Sequence, residues 1–246
     1  MNATGSLRPA ARPGIIAAMF RHSAPITPLS AALFALAVLF GPARAQACET
    51  ALVLAVDVSG SIDRGEYRLQ QQGIARALSD GAVADALVTG QVALTVVHWS
   101  GAGQQAVVLP WRRMLSRAEV SRYAAAAAEA PRAFDGSDTA PGDLIAFAAG
   151  LFEAVADCGR KVVDISGDGP QNAGGSTAQA SAAAHRAGIV VNGLAIEDMG
   201  ASSPTTQYYS RHVVTPGGFV MTARGLGDYE PTLRAKILRE LARPTG

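Results

Sequence analysis

Only two cysteines, Cys48 and Cys158, occur in 246 residues. That scarcity excludes a cysteine-rich metal module and a disulfide-dense miniature scaffold, and leaves room for a single bridge. Charge is scarce too: 17% of side chains carry one, and 21 basic residues nearly cancel 20 acidic ones. No Lys/Arg run stands out, so the footprint of a protein that neutralises many phosphates is missing and nucleic acid is not an expected partner. What the chain does have is apolar mass. At 49% hydrophobic residues it can bury one sizeable core or at most two small ones, which rules out a disordered or collagen-like chain.

The first 47 residues read as a secretory signal, cleaved after Ala45 or Ala47. Arg8, Arg12 and Arg21 precede an unbroken ten-residue apolar run, Ala31 to Phe40, and small residues from Gly41 to Ala47 follow it. That run is about half of the roughly 20 residues a membrane-crossing helix needs, and Gly41-Pro42 breaks it, so no stable span is expected in the mature chain. Initiation at Met19 would give a signal of ordinary length. Cys48 is a poor lipidation site because Ala45 stands three positions before it. Cleavage after Ala45 removes four arginines and no acid, leaving a net charge of −3. The expected location is periplasmic or secreted, where a cystine persists.

Residues 48–246 read as a single α/β domain. Ala51 to Val56 is a continuous apolar run that fits a strand buried on both faces. Asp63-Arg64-Gly65-Glu66 fits a capping box, with Tyr67, Gln71, Ile74 and Leu78 on one helical face. Strands follow over Gln91 to Trp99 and Gln105 to Leu109, joined as a hairpin, and a helix over Ser116 to Ala130. Ala133 to Gly142 is a loop. Then come a helix over Asp143 to Ala156, a strand over Lys161 to Ser166, a helix over Ser176 to Ala187 and a strand from Ile189 to about Ile196. A Tyr-rich segment, Thr205 to Val214, a strand over Gly218 to Thr222 and a helix from about Tyr229 to Leu241 complete the chain. This alternation predicts a doubly wound, mostly parallel sheet with helices on both faces.

Ligands of such sheets bind beyond the carboxyl ends of the strands, so polar loops after buried strands are the places to search. Asp57 to Ser61, Ser137 to Thr139, and Asp168 qualify. The first packs a carboxylate and two hydroxyls into five residues around Gly60. Such all-oxygen sets suit a hard cation: Mg²⁺ wants six oxygens at about 2.1 Å and commonly retains water or a partner's oxygen among them.

Here the sequence resembles the von Willebrand factor type A domain, a Rossmann-like fold shared with integrin inserted domains, and in particular its metal-ion-dependent adhesion site. The Asp-x-Ser-x-Ser motif after the first strand matches Asp57, Ser59 and Ser61 residue for residue. The Thr of the second loop corresponds to Thr139, and the Asp that ends the fourth strand to Asp168, within Ile165-Ser166-Gly167-Asp168-Gly169. The resemblance covers roughly Leu52 to Ile196, and the chain is similar to short exported bacterial proteins of this class whose function is undefined. It implies that Ser59 and Ser61 bind Mg²⁺, with Mn²⁺ or Ca²⁺ as alternatives. Thr139 would bind directly or through water, and Asp57 and Asp168 directly or as holders of bound water. It also implies an open coordination position filled by an acidic side chain of a protein partner. Asp135, Ser137 and Asp138 crowd the second loop, and Ser137 is an alternative ligand to Thr139.

Cys48 lies nine residues before Asp57 and Cys158 ten before Asp168. If the strands carrying these carboxylates are parallel neighbours, both cysteines reach the opposite end of the sheet together, within range of a bridge.

Blander roles compete at several positions. Asp57, Ser59 and Ser61 could form an Asx-type turn, and Asp168 could stabilise a Gly-flanked turn. Asp63 and Glu66 read as caps, Asp143 as an acid at a helix N-terminus, Asp164 equally as a buried structural acid or in any other role, and His98, His185 and His212 as surface or packed histidines. No Gly-x-Ser-x-Gly elbow, His-Glu-x-x-His or P-loop is present, and Ser59 stands where an Asp-x-Asp phosphatase loop needs its second acid. The expected function is therefore a non-catalytic, metal-dependent binding module; a metal-dependent hydrolase and a metal-free structural domain are the alternatives.

Overall fold

Alternation along the first strand builds the molecule. In β1 (Thr50–Asp57) every residue is buried. Leu52, Leu54 and Val56 pack into one apolar cluster, while Ala51, Val53 and Ala55 pack into another on the opposite face. A computed structural model describes residues 48–136, 138–200 and 202–242; the signal-peptide reading and Ser137 lie outside the described residues.

Six strands form one sheet: β1, β2 (Ala93–Trp99), β3 (Gln105–Arg113), β4 (Arg160–Gly167), β5 (Ile189–Glu197) and β6 (Val220–Arg224), in the order β3-β2-β1-β4-β5-β6. All neighbours are parallel except the β2–β3 hairpin. Over one face lie α1 (Arg64–Ser79), α2 (Gly81–Thr89), α3 (Arg117–Glu129) and, at the C terminus, α7 (Tyr229–Leu241), which contribute Ile74, Leu87, Tyr123 and Leu233 to the first cluster. The other face is covered by α4 (Pro141–Leu151), α5 (Thr177–Arg186) and a short α6 (Pro204–Tyr208) that widens into a π-turn, Tyr209–Val213. Leu144, Ala184 and Tyr209 reach the second cluster from these elements. This is the expected doubly wound sheet.

The capping box forms as read: Asp63 Oδ1 accepts the N–H groups of Gly65 and Glu66, and Asp63 N–H donates to Glu66 Oε2 at 2.8 Å. Three expectations need correction. Helix α2 was not anticipated; Asp80 ends α1 and caps α2 by accepting from Ala82 N–H at 3.0 Å, so one short acid serves two helix ends. Helix α4 begins at Pro141 rather than Asp143, because proline at the first helical position gives up an N–H that has no intrahelical partner there. After Leu151 the chain tightens into a 3₁₀ turn, Phe152–Val155. Strand β6 begins two residues later than Gly218: Gly217 has φ 84° and Gly218 N–H closes a turn onto Thr215 O at 2.8 Å.

Cys48 and Cys158 form a disulfide with a Cα–Cα distance of 4.5 Å. Strands β1 and β4 pair in parallel from Thr50↔Arg160 to Val56↔Ser166, a register that carries back to Cys48 opposite Cys158 and forward to Asp57 opposite Gly167. The one-residue mismatch in the cysteine-to-aspartate spacing therefore falls at the carboxyl end, where Asp168 projects one residue beyond its strand.

Candidate metal centre

Asp57 is the last residue of β1 and fully buried. Its Oδ1 accepts Ser59 N–H at 2.7 Å, which folds the loop back over the strand end. The Ser59 and Ser61 hydroxyls lie 3.2 Å apart, and Ser61 O–H donates to Asp168 Oδ1 at 2.8 Å. Because Ser61 spends its one proton on Asp168, Ser59 is the donor to Ser61, and the hydroxyls run in one direction onto the carboxylate. The other oxygen of Asp57, Oδ2, is buried without a hydrogen-bond partner among the described residues.

Electrostatics at this end of the sheet are unfavourable without a cation. Burial, reinforced by the charge of Asp168, pushes the Asp57 carboxyl up to about 7. Asp168 is raised as well, first by burial, with Glu66 and Asp198 adding to the effect against the Ser61 hydrogen bond. Glu66, Asp168, Glu197 and Asp198 line a cavity of about 410 Å³ together with Ser61 and Thr205, and among the described residues no basic side chain lines it. A divalent ion would relieve this repulsion. A buried carboxylate beside a hydroxyl–carboxylate chain is an all-oxygen donor set that fits a hard cation. Among the described residues no group of three His, Cys, Asp or Glu side chains is arranged to hold a metal, so any ion here would rest on two carboxylates and hydroxyls.

Thr139 arrives from the second loop by a different route. Ala140 N–H donates to Ser100 O at 2.9 Å, directly after β2, while Val58 N–H donates to Trp99 O at 2.9 Å. These bonds bring both loops to the carboxyl end of β2. Thr139 is buried, its N–H donates to Asn172 Oδ1 at 2.7 Å, and its carbonyl accepts Asn172 and Ala173 N–H. The hydrogen-bond chain through Ser59, Ser61 and Asp168 does not include it.

Two residues that hold the loops were not singled out in the sequence. Asn172 fixes Thr139, and Arg132 fixes the first loop: its Nη2 donates to Val58 O at 2.8 Å and Ser59 O at 2.9 Å, its Nε to Phe134 O at 2.8 Å, and its guanidinium lies 5.8 Å from the centre of the Tyr67 ring. The available signal was an arginine beside a loop otherwise rich in acids. Nearby, His98 is buried edge-on to Tyr67, and burial together with the Arg132 charge lowers it to about 4, which makes it a packed neutral histidine. Asp143 does more than sit in the first turn of α4: its Oδ1 accepts Gly175 N–H at 2.7 Å. Arg132→Ala should cost on the order of 2 kcal/mol, since it leaves three carbonyls without a charged donor. Lysine should recover only part of that loss, because it lacks the planar fork; thermal denaturation of both variants is the check.

No curated protein matches the chain. Solved structures with the same fold include proximal thread matrix protein 1 from the mussel byssus, with a zinc-occupied metal-ion-dependent adhesion site (15% identity, TM-score 0.57, covering 80% of this chain and 46% of that one). The von Willebrand factor type A protein from Catenulispora acidiphila aligns at 20% identity and TM-score 0.56, over 78% of this chain and 43% of that one. The pilus adhesin SpaC from Lactobacillus rhamnosus GG aligns at 15% identity and TM-score 0.58, over 78% and 30%. This chain thus spans less than half of each of those proteins. The described domain has the von Willebrand factor type A fold, and with a family model matching residues 47–245 the chain belongs to the family described as "Protein of unknown function (DUF1194)".

Proposed function

We propose that this is an exported, divalent-cation-dependent protein-recognition domain. Asp57, Ser59, Ser61 and Asp168 would hold the ion, with Thr139 contributing from the second loop and Mg²⁺ the expected metal. The observation that carries this reading is the Ser59–Ser61–Asp168 hydroxyl chain beside the buried Asp57, at the edge of a cavity lined by acids. The bound ion would supply positive charge and an exchangeable coordination position at a rim that is otherwise acidic. An acidic side chain of a partner, repelled by Asp168, Glu66 and Asp198 alone, would be attracted once the ion is there. The zinc at the corresponding motif of the mussel byssus protein is consistent with a cation site on this fold.

Calorimetry and thermal shift with Mg²⁺, Mn²⁺ and Ca²⁺ test the site. Asp57→Asn keeps the acceptor for Ser59 N–H and should weaken Mg²⁺ binding at least about 100-fold. In chelator the same variant should be no less stable than the parent at pH 8. An acid raised from 3.8 to about 7 by folding contributes less to stability as pH climbs through that interval, and the amide removes this loss. Absence of heat and of any thermal shift in the parent would leave a metal-free structural domain. Capture of a partner from the native envelope should be lost in chelator and in Asp57→Asn.

A further inference from the structure

Tyr209 opens the π-turn after α6 and is fully buried. Its ring crosses the sheet over two glycines. A Cβ at Gly193 of β5 would lie 2.6 Å from Tyr209 Cδ1, and a Cβ at Gly167 of β4 would lie 2.4 Å from Tyr209 Oη. Neither glycine has a positive φ, so the backbone does not demand them; the passage of the ring does. Glycine inside a strand gives up side-chain packing and marks a close approach. Here the approach ends under the candidate metal centre. The point that a Gly167 Cβ would occupy is also 2.8 Å from Asp57 Oδ2 and 3.1 Å from Trp99 Cζ2.

Asp57 Oδ2 and Tyr209 Oη, which border that point, and Trp99 Nε1, on the ring whose Cζ2 borders it, are three buried polar atoms with no hydrogen-bond partner among the described residues. Groups of this kind are rarely left unused in the interior, and each calls for a physical reason. One is an acceptor and two are donors, so they are complementary. Tyr209 Oη is the nearest of the three to the shared point.

We propose that Tyr209 is a positioning residue for Asp57, its hydroxyl reaching Oδ2 through one bridging water while Ser59 N–H holds Oδ1. With both oxygens engaged the carboxylate cannot turn about its last bond, and it presents one fixed face to the strand-end loops. Hydrogen bonds of this outer kind orient a ligand and tune its affinity, and losing one typically costs 10–100-fold. The proposal rests on the metal reading above for its consequence, but the pairing itself does not need the ion.

The test separates the two. Tyr209→Phe removes one oxygen and keeps the ring between the glycines. In chelator, a double-mutant cycle of Tyr209→Phe with Asp57→Asn, read by urea denaturation of the mature protein, should show a coupling of at least about fivefold in the unfolding constant. Additive effects overturn the pairing. With Mg²⁺ as the probe, calorimetry should show affinity reduced at least about tenfold in Tyr209→Phe, and the tyrosine ultraviolet difference spectrum of the parent on Mg²⁺ addition should be lost. Parent-like affinity in Tyr209→Phe overturns the positioning role. A parent protein that ignores Mg²⁺ but still shows the coupling would defeat the metal reading and leave the pairing standing.

Discussion

Replacing Cys48 and Cys158 together with serine should lower the unfolding free energy by up to about 5 kcal/mol, the chain-entropy value for a cross-link of this length. The bridge spans a sequence separation of 110 residues, so the unfolded chain loses much freedom when it is closed. The native state need give up little in return. The cysteines stand opposite each other in the register that the β1–β4 ladder already imposes, and Gly159 N–H to Cys48 O and Arg160 N–H to Glu49 O hold the same alignment. For a domain of this size the loss corresponds to a melting temperature lower by roughly 10–20 °C. Urea denaturation of the parent and the double variant, with a thiol titration showing no free thiol in the native protein, measures it. Mg²⁺ affinity should barely change, because the bridge lies at the amino end of the strands and the candidate site at the other. A difference below about 1 kcal/mol would mean that the unfolded chain already keeps these strands together.

What the sequence made visible was whatever carries its own local signature. A strand buried on both faces is a continuous apolar run, and β1 was one. A capping box has a fixed spacing, and Asp63 to Glu66 kept it. The near-equal distances from each cysteine to its aspartate encoded the parallel register of β1 and β4, because strands advance by a constant rise per residue. The Asp57-x-Ser59-x-Ser61 loop was legible because all its oxygens come from one turn. Contacts made across the fold were not. Arg132 reaches back to Val58 and Ser59 carbonyls from beyond α3, Asn172 fixes Thr139, and Tyr209 enters beneath Asp57 from the far side of β5; none has a spacing that announces it. Helix α2 escaped notice because Gly81 opens it, and the weak helix former masked a start that Asp80 caps.

The acids of the interior show the same contrast. Asp164 lies inside a strand, where the sequence leaves a buried structural acid no more expected than any other role; it is buried, and the partner has no local signature: Lys236 is fully buried on α7, with Nζ 2.5 Å from Asp164 Oδ1 and 2.6 Å from Glu240 Oε1. Asn192 Nδ2 donates to the same Glu240 oxygen at 2.9 Å. One cation faces two acids here, and burial, with the Asp164 charge behind it, pushes Glu240 up to about 7. Lys236→Met keeps most of the apolar stem of the side chain and removes its charge, which should cost about 3–5 kcal/mol at pH 8 because two carboxyls are left buried without a cation. The cost should shrink toward pH 5. Glu240 is raised on folding, so its contribution is fully present below its ordinary value of 4.5 and lost as pH rises through about 7; removing the lysine steepens that loss. Adding Asp164→Asn and Glu240→Gln to Lys236→Met should restore most of the stability, since no unpaired charge then remains. Urea denaturation of these variants at pH 5 and pH 8 decides the matter. An equal loss at both pH values would mean that Lys236 fastens α7 to the sheet by packing alone, and that the charge at its tip contributes nothing.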